Sequence, residues 1–177
     1  MIIRNETASD IQAITEVTIA AFKNLEVSNQ TEQFIIEALR AAEMLTISLV
    51  AEIDKRVVGH IAFSPVTISD GSRDWYGIGP LSVLPEYQRQ GIGTTLVQYG
   101  LSLLREMGGQ GCCLVGDSGY YKRFGFKNIS ELILEGVPKE VFLALPFYST
   151  IPQGFVVFHE GFMSVGEQDV APTTKLH

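Results

Sequence analysis

One short segment in the middle of the chain constrains the fold most. An apolar stretch ends at Leu81–Leu84, a loop carrying Gly91 and Gly93 follows, and helical periodicity then continues to Met107. This order predicts a strand, a loop and a helix that begins at the loop. Backbone N–H groups at a helix N-terminus have no partner within the helix and carry partial positive charge, so they bind anions. Arg89 adds a cation to this predicted anion site.

The residues around the glycines exclude two common phosphate loops. A Walker loop requires Lys and then Ser or Thr directly after its glycines, and none follows Gly93 in that form. A dinucleotide fingerprint requires a third glycine where Leu96 stands, within a strand–helix–strand unit that is absent from the predicted order. The Gly-x-Gly spacing alone is more typical of a helix that simply begins at a glycine.

The order of predicted elements places the chain in the mixed α/β (α+β) class. The order fits neither a repeating βαβ fold nor an all-β sandwich. We expect one domain over residues 1–166 and a polar tail over residues 167–177. The periodicity predicts helices at 7–22, 31–42, 91–107 and 119–124. It predicts strands at 1–6, 47–53, 57–68, 75–84, 112–115, 141–145 and 155–158, and a further strand that begins at Phe126.

Composition and charge exclude several classes of protein. The net charge is -7 and the 13 basic residues form no run, so the basic footprint of a nucleic-acid-binding protein is missing. No apolar run has the length of a membrane span, and the first six residues do not resemble a signal peptide. The two cysteines, Cys112 and Cys113, are adjacent, which suits neither a disulfide nor a zinc site. We therefore expect a cytoplasmic protein without a metal.

Two motifs resemble a known family. Gln88–Gly93 matches the Gln/Arg-x-x-Gly-x-Gly/Ala signature of the GNAT superfamily of N-acetyltransferases, and Tyr121–Phe126 resembles its second motif. Val58–Val66 and Gly116–Tyr121 further resemble the bacterial YhbS-like subgroup. The resemblance implies the GNAT acyl-CoA N-acyltransferase fold. That fold is a central, mostly antiparallel sheet with a splayed strand pair and helices on both faces.

The resemblance also implies acetyl-CoA as the cofactor, with CoA as product and no metal. Its pyrophosphate would lie on the backbone of the glycine loop, and its pantetheine arm beside a strand that a bulge splays from its neighbour. Gly77, Gly79 and Pro80 fit such a distorted strand. The implied cofactor-binding residues are Leu81, Ser82, Val83, Gln88, Arg89, Gln90, Gly91, Ile92, Gly93 and Thr94.

Transfer of an acetyl group to an amine needs an acid for the departing thiolate. A tyrosine suits this task because its phenol keeps its proton at neutral pH. Tyr121 stands at the family's motif position, and Tyr120 is the alternative if the helix is rotated by one residue. Asp117 is the candidate base, acting through a water, although capping of the following helix is the favoured interpretation of this residue.

Three further titratable residues have a structural interpretation. His60 lies in the middle of a predicted strand, where a core histidine is more typical than a base. Glu26 and Glu32 lie near the helix that the resemblance places over the acceptor, and they are interpreted as solvated surface. The identity of the base stays open.

The sequence thus predicts an N-acetyltransferase that transfers the acetyl group of acetyl-CoA to a primary amine by direct attack. The acceptor is a small molecule or a protein, and the enzyme is a monomer or a homodimer that binds neither nucleic acid nor membrane. The alternative is a non-catalytic, regulatory CoA-binding domain of the same fold. A binder of nucleotide phosphates is a third possibility, and the missing Walker lysine speaks against it.

Overall fold

The computed structural model describes residues 1–166, and the predicted polar tail at 167–177 lies outside them. Within residues 1–166 the α-helices are α1 Ile11–Phe22, α2 Glu32–Ala41, α3 Ile92–Glu106 and α4 Ser118–Tyr121. The strands are β1 Ile2–Asn5, β2 Ile47–Ile53, β3 Arg56–Ile68, β4 Trp75–Val83, β5 Gly111–Val115, β6 Leu132–Ile133, β7 Phe142–Pro146 and β8 Gly154–Phe158.

The strands form a mixed sheet in the order β1-β2-β3-β4-β5-β7. Most neighbours are antiparallel, and β4 and β5 are parallel. The last residues of the long strand β3, Val66–Ile68, leave this path and pair with β8, which also pairs with β6. The predicted mixed α/β class with a mostly antiparallel sheet is therefore confirmed.

A bulge in β4 separates it from β5. Ile61 pairs with Leu81 and Phe63 pairs with Ile78, so two residues of β4, Gly79 and Pro80, lie opposite a single residue of β3. An extra residue of this kind bends its strand and interrupts the ladder. Pairing of β4 with β5 accordingly ends at Gly77. The splayed strand pair expected from the resemblance is thus present, and within residues 1–166 the edge of β4 that faces β5 is unpaired beyond this point.

Helices cover both faces of the sheet. Neighbouring residues of a strand point to opposite faces, and Gly59 of β3 faces α3, since a Cβ there would lie 3.2 Å from side-chain atoms of Ile92 and Leu96. His60 points the other way. Burial, together with the charge of Arg40 in α2, lowers the pKa of His60 to about 3. Helix α1 packs against α2, β3 and β4.

The prediction of a strand from Phe126 onward is wrong. Phe126 is buried in the core, but only Lys127 makes a bridge, to Ala144. The side-chain amide of Asn128 then donates to the carbonyls of Lys139 and Phe142. A side chain that binds backbone groups in this way replaces the ladder of a strand. The chain therefore forms a loop after Phe126.

No helix within residues 1–166 is long and apolar enough to cross a membrane.

The contact between Gly100 of α3 and Phe63 of β3 gives a test of this packing. A Cβ at Gly100 would overlap the ring of Phe63, which is fully buried. We expect Gly100→Val to lower the free energy of unfolding by about 1–3 kcal/mol, because overpacking forces side chains or backbone to shift. Urea denaturation measures this loss. Ser102→Val, at an exposed position of the same helix, is the matched control, and equal stability of the two variants would contradict the packing.

Candidate active site

A cleft of about 530 Å³ lies where β4 ends and α3 begins. Its floor is formed by the end of β4 and the glycine loop, and its walls by α1 and the segment that contains α4. The lining residues are Ala21, Phe22, Leu25, Leu81, Val83, Tyr87, Gln88, Arg89, Gly91, Ile92, Gly93, Thr94, Tyr120 and Arg123.

The N-terminus of α3 opens into this cleft. Gly91 precedes the helix with φ 83°, a left-handed conformation that favours glycine, and space around its Cα is open. Within the described residues no side chain caps this helix. The N–H groups of its first turn are therefore available to an anion, and the helix dipole adds partial positive charge at the same point.

Two guanidinium groups line the cleft. Arg89 stands in the loop, and Arg123 comes from the segment after α4. Arg123 is held in place because its Nε donates to the carbonyl of Tyr120 at 2.9 Å and its guanidinium lies 4.4 Å from the centre of that ring. Both cations complement phosphate charge. Sequence reasoning missed Arg123, although it stands three residues after Tyr120 on the same side of a helical turn.

Eight of the ten predicted cofactor-binding residues line the cleft. The exceptions are Ser82 and Gln90. Ser82 is buried and pairs with His60, so its side chain points to the opposite face of the sheet. Gln90 instead donates its side-chain amide to the carbonyl of Glu86 at 3.4 Å. Gln88 lines the cleft while donating its amide to the carbonyl of Val83 at 3.0 Å, which ties the loop to the end of β4.

The two tyrosines of α4 occupy different surroundings. The hydroxyl of Tyr120 lies 3.4 Å from Oγ1 of Thr94 and against Gly93, at the start of α3. The ring of Tyr121 packs against Gly116 and edge-on against Phe126. Burial, and to a smaller extent Tyr120, raise the pKa of Tyr121 to about 12. Tyr120 therefore lines the cleft, and Tyr121 lies behind it as a phenol that keeps its proton at neutral pH.

The other titratable candidates have structural contacts. Asp117 is exposed and caps α4, because its carboxylate accepts from the backbone N–H of Gly119 at 3.0 Å. It lines no part of the cleft, and its role as a base stays a prediction. His60 is fully buried and its Nε2 lies 2.8 Å from Oγ of Ser48, as expected for a core histidine. No group of three or more potential metal ligands occurs in the part of the chain that the structure describes.

The chain matches a known family of proteins. Residues 11–126 match the model of the Acetyltransferase (GNAT) family. The chain belongs to the GNAT family. Both motifs lie within the matched residues, so the family predicted from the sequence is confirmed.

Individual GNAT proteins resemble the chain over most of its length. It is 35% identical over 128 residues to the uncharacterized N-acetyltransferase YhbS of Escherichia coli, covering 72% of this chain and 74% of that protein. A crystal structure of Escherichia coli YhbS in complex with CoA superposes with a TM-score of 0.83 at 31% identity, covering 93% of both chains. A GNAT acetyltransferase from Brucella melitensis in complex with acetyl-CoA is 49% identical, with a TM-score of 0.81, over 91% of this chain and 97% of that chain.

Proposed function

We propose that the protein is an acetyl-CoA-dependent N-acetyltransferase that acetylates a primary amine by direct attack. One observation carries the proposal: the unpaired edge of β4 leads directly to the uncapped N-terminus of α3. Acetyl-CoA has an extended arm that can pair with a free strand edge and a diphosphate that can bind at a helix N-terminus. The two features of the protein lie in the same order as these two parts of the ligand. The acetyl-CoA and CoA complexes of the two similar GNAT proteins support the same ligand.

The residues of the cleft fit this cofactor. The N–H groups that follow Gly91, together with Arg89 and Arg123, would hold the pyrophosphate. The backbone of Leu81–Val83 would pair with the pantetheine arm as an added strand does. Bound acetyl-CoA supplies the acetyl thioester whose carbonyl carbon accepts the amine nitrogen, with C–N bond formation, C–S bond cleavage and release of CoA thiolate.

The chain supplies the proton that the thiolate takes up. Tyr121 is the proposed donor because it stands at the family's motif position, and burial keeps its phenol protonated at neutral pH by raising its pKa. Tyr120 is the alternative, and its hydroxyl at the start of α3 gives it a second role in shaping the cleft. Asp117 remains the proposed base, acting through a water.

The proposal extends to the setting of the reaction. We place one catalytic domain over residues 1–166 and the protein in the cytoplasm, as a monomer or a homodimer. Cys112 and Cys113 are buried free thiols, and burial raises the pKa of both. Such thiols behave as small apolar side chains, which suits a reducing compartment.

One observation favours the non-catalytic alternative. Within residues 1–166, the lining of the cleft of about 530 Å³ contains no carboxylate. A regulatory CoA-binding domain would have this feature too. Release of free thiol from acetyl-CoA, measured across a panel of primary amines, separates the two functions, since only the enzyme releases thiol in proportion to an added amine.

The glycine loop gives the first test of CoA binding. We expect Gly91→Val to weaken CoA binding by about tenfold to a hundredfold, because a β-branched residue disfavours the left-handed backbone that presents the N–H groups. Gly108→Val is the matched control. Gly108 follows the other end of α3 with φ 87° and equally open space. Calorimetric titration with CoA compares them, and equal affinities would remove the loop from the binding site.

The tyrosines give the second test, once an amine acceptor is found. General acid catalysis contributes about 10²–10⁴-fold, and thiolate is a good leaving group, so we expect Tyr121→Phe to lower kcat by about 10²-fold. The KM for acetyl-CoA should stay unchanged, because the ring remains. Steady-state kinetics beside Tyr120→Phe decide the assignment. Loss of kcat only in Tyr120→Phe would move the role to Tyr120, and full activity of both would leave water as the acid.

A further inference from the structure

A second cleft, of about 860 Å³, lies on the far side of the β4 bulge. It is bounded by α2, by the bulge itself, by the end of β5 and by β8 with the turn that follows. Its walls are largely apolar, and the side chains that form them include Ile35, Ile78, Val115, Phe155, Phe158 and Phe162.

The two clefts meet on one strand. Gly79 and Pro80 line the second cleft, and the next residue, Leu81, lines the first. Among the described residues they share no lining residue, and β4 passes from one cleft to the other between Pro80 and Leu81. An amine in the second cleft would therefore lie next to the strand residues, Leu81–Val83, that the proposed function pairs with the pantetheine arm.

Glu32 is the polar residue that distinguishes this second cleft. It is the first residue of α2, and its Oε1 accepts from the hydroxyl of Ser28. Its Oε2 is buried and has no hydrogen-bond partner within the described residues. A buried carboxylate oxygen without a partner is costly, so a ligand that donates to it is strongly favoured. The sequence interpretation of Glu32 as solvated surface is therefore wrong.

The other charges of the cleft have the same sign. Glu135 and Glu160 join Glu32 in the lining, which includes no lysine or arginine among the described residues. His159 is the remaining titratable side chain, and its Nδ1 already accepts from the backbone N–H of Gly161 at 2.9 Å. An apolar cavity with negative charge selects a cation that carries an apolar body.

Building on the proposed function, we infer that the acceptor is a primary amine on an aliphatic or aromatic group, with its ammonium bound by Glu32. The apolar walls hold the organic group, and Oε2 of Glu32 accepts one ammonium N–H. The ammonium loses one proton to water, which frees the lone pair for attack on the thioester carbon. The C–N bond then forms, the C–S bond breaks and the nitrogen loses a second proton, while the thiolate gains one. The products are the amide, CoA and one net proton.

Direct binding measurements test this inference separately from catalysis. The probes are 2-phenylethylamine, its neutral analogue 2-phenylethanol, and lysine as an amine with a polar, charged body. Each is titrated calorimetrically into the protein with and without CoA, so no acetyl transfer takes place. CoA binding alone reports on the proposed function, and amine binding reports on the second cleft.

In the wild-type protein we expect 2-phenylethylamine to bind more tightly than either 2-phenylethanol or lysine. Glu32→Gln should weaken amine binding by about tenfold to a hundredfold, the effect of one charge-assisted hydrogen bond, and leave the alcohol unchanged. Glu37→Gln, at an exposed position of the same helix, is the matched control and should change neither. Phe162→Ala should weaken the binding of the amine and of the alcohol equally, because it removes part of the apolar wall of the cleft.

Three results would overturn the inference. The first is an unchanged amine affinity in Glu32→Gln. The second is tighter binding of lysine than of 2-phenylethylamine. The third is a dimer in sedimentation that Val157→Asp dissociates, together with no amine binding, since Val157 is an exposed lining residue and a second copy would then occupy the cleft. Loss of CoA binding with intact amine binding would instead contradict the proposed function alone.

Discussion

The separation of β4 from β5 is the constraint on which the rest of the molecule depends. Two residues of β4, Gly79 and Pro80, lie opposite one residue of β3, and the parallel ladder with β5 ends at Gly77. Backbone groups left unpaired at a sheet edge need partners. Gly79 and Pro80 line one cleft and Leu81 lines the other, so this irregularity of the backbone lies between the proposed cofactor site and the proposed acceptor site.

Close packing of α3 on β3 brings the anion site to this edge. Gly59 in the strand and Gly100 in the helix leave room for the neighbouring side chains, among them Ile92 at the first turn of α3. The N-terminus of the helix is thereby fixed beside the last residues of β4. Protein interiors are packed densely enough that such contacts hold a helix in one position. This position directs the free N–H groups of the first turn of α3 into the cleft at the end of β4.

Local patterns made much of the fold predictable. The glycine loop, the helix after it and the three-strand meander follow from periodicity and turn residues that act over short distances. The strand from Phe126 was wrong because a side-chain amide, that of Asn128, takes the place of ladder bonds, and periodicity does not reveal this. Arg123 was not predicted to line the site, and Glu32 was interpreted as solvated surface. In both cases the residues that surround the side chain come from segments distant in sequence. Glu32, for instance, shares its cleft with β8, more than a hundred residues further along the chain.

A crystal structure of the protein with CoA tests the central claim most directly. We expect pyrophosphate oxygens at hydrogen-bond distance, about 2.7–3.2 Å, from the backbone nitrogens that follow Gly91. We also expect Arg89 and Arg123 at the phosphates, and the CoA sulfur in the gap between β4 and β5. Pyrophosphate bound away from the start of α3, or a sulfur outside the gap, would contradict it.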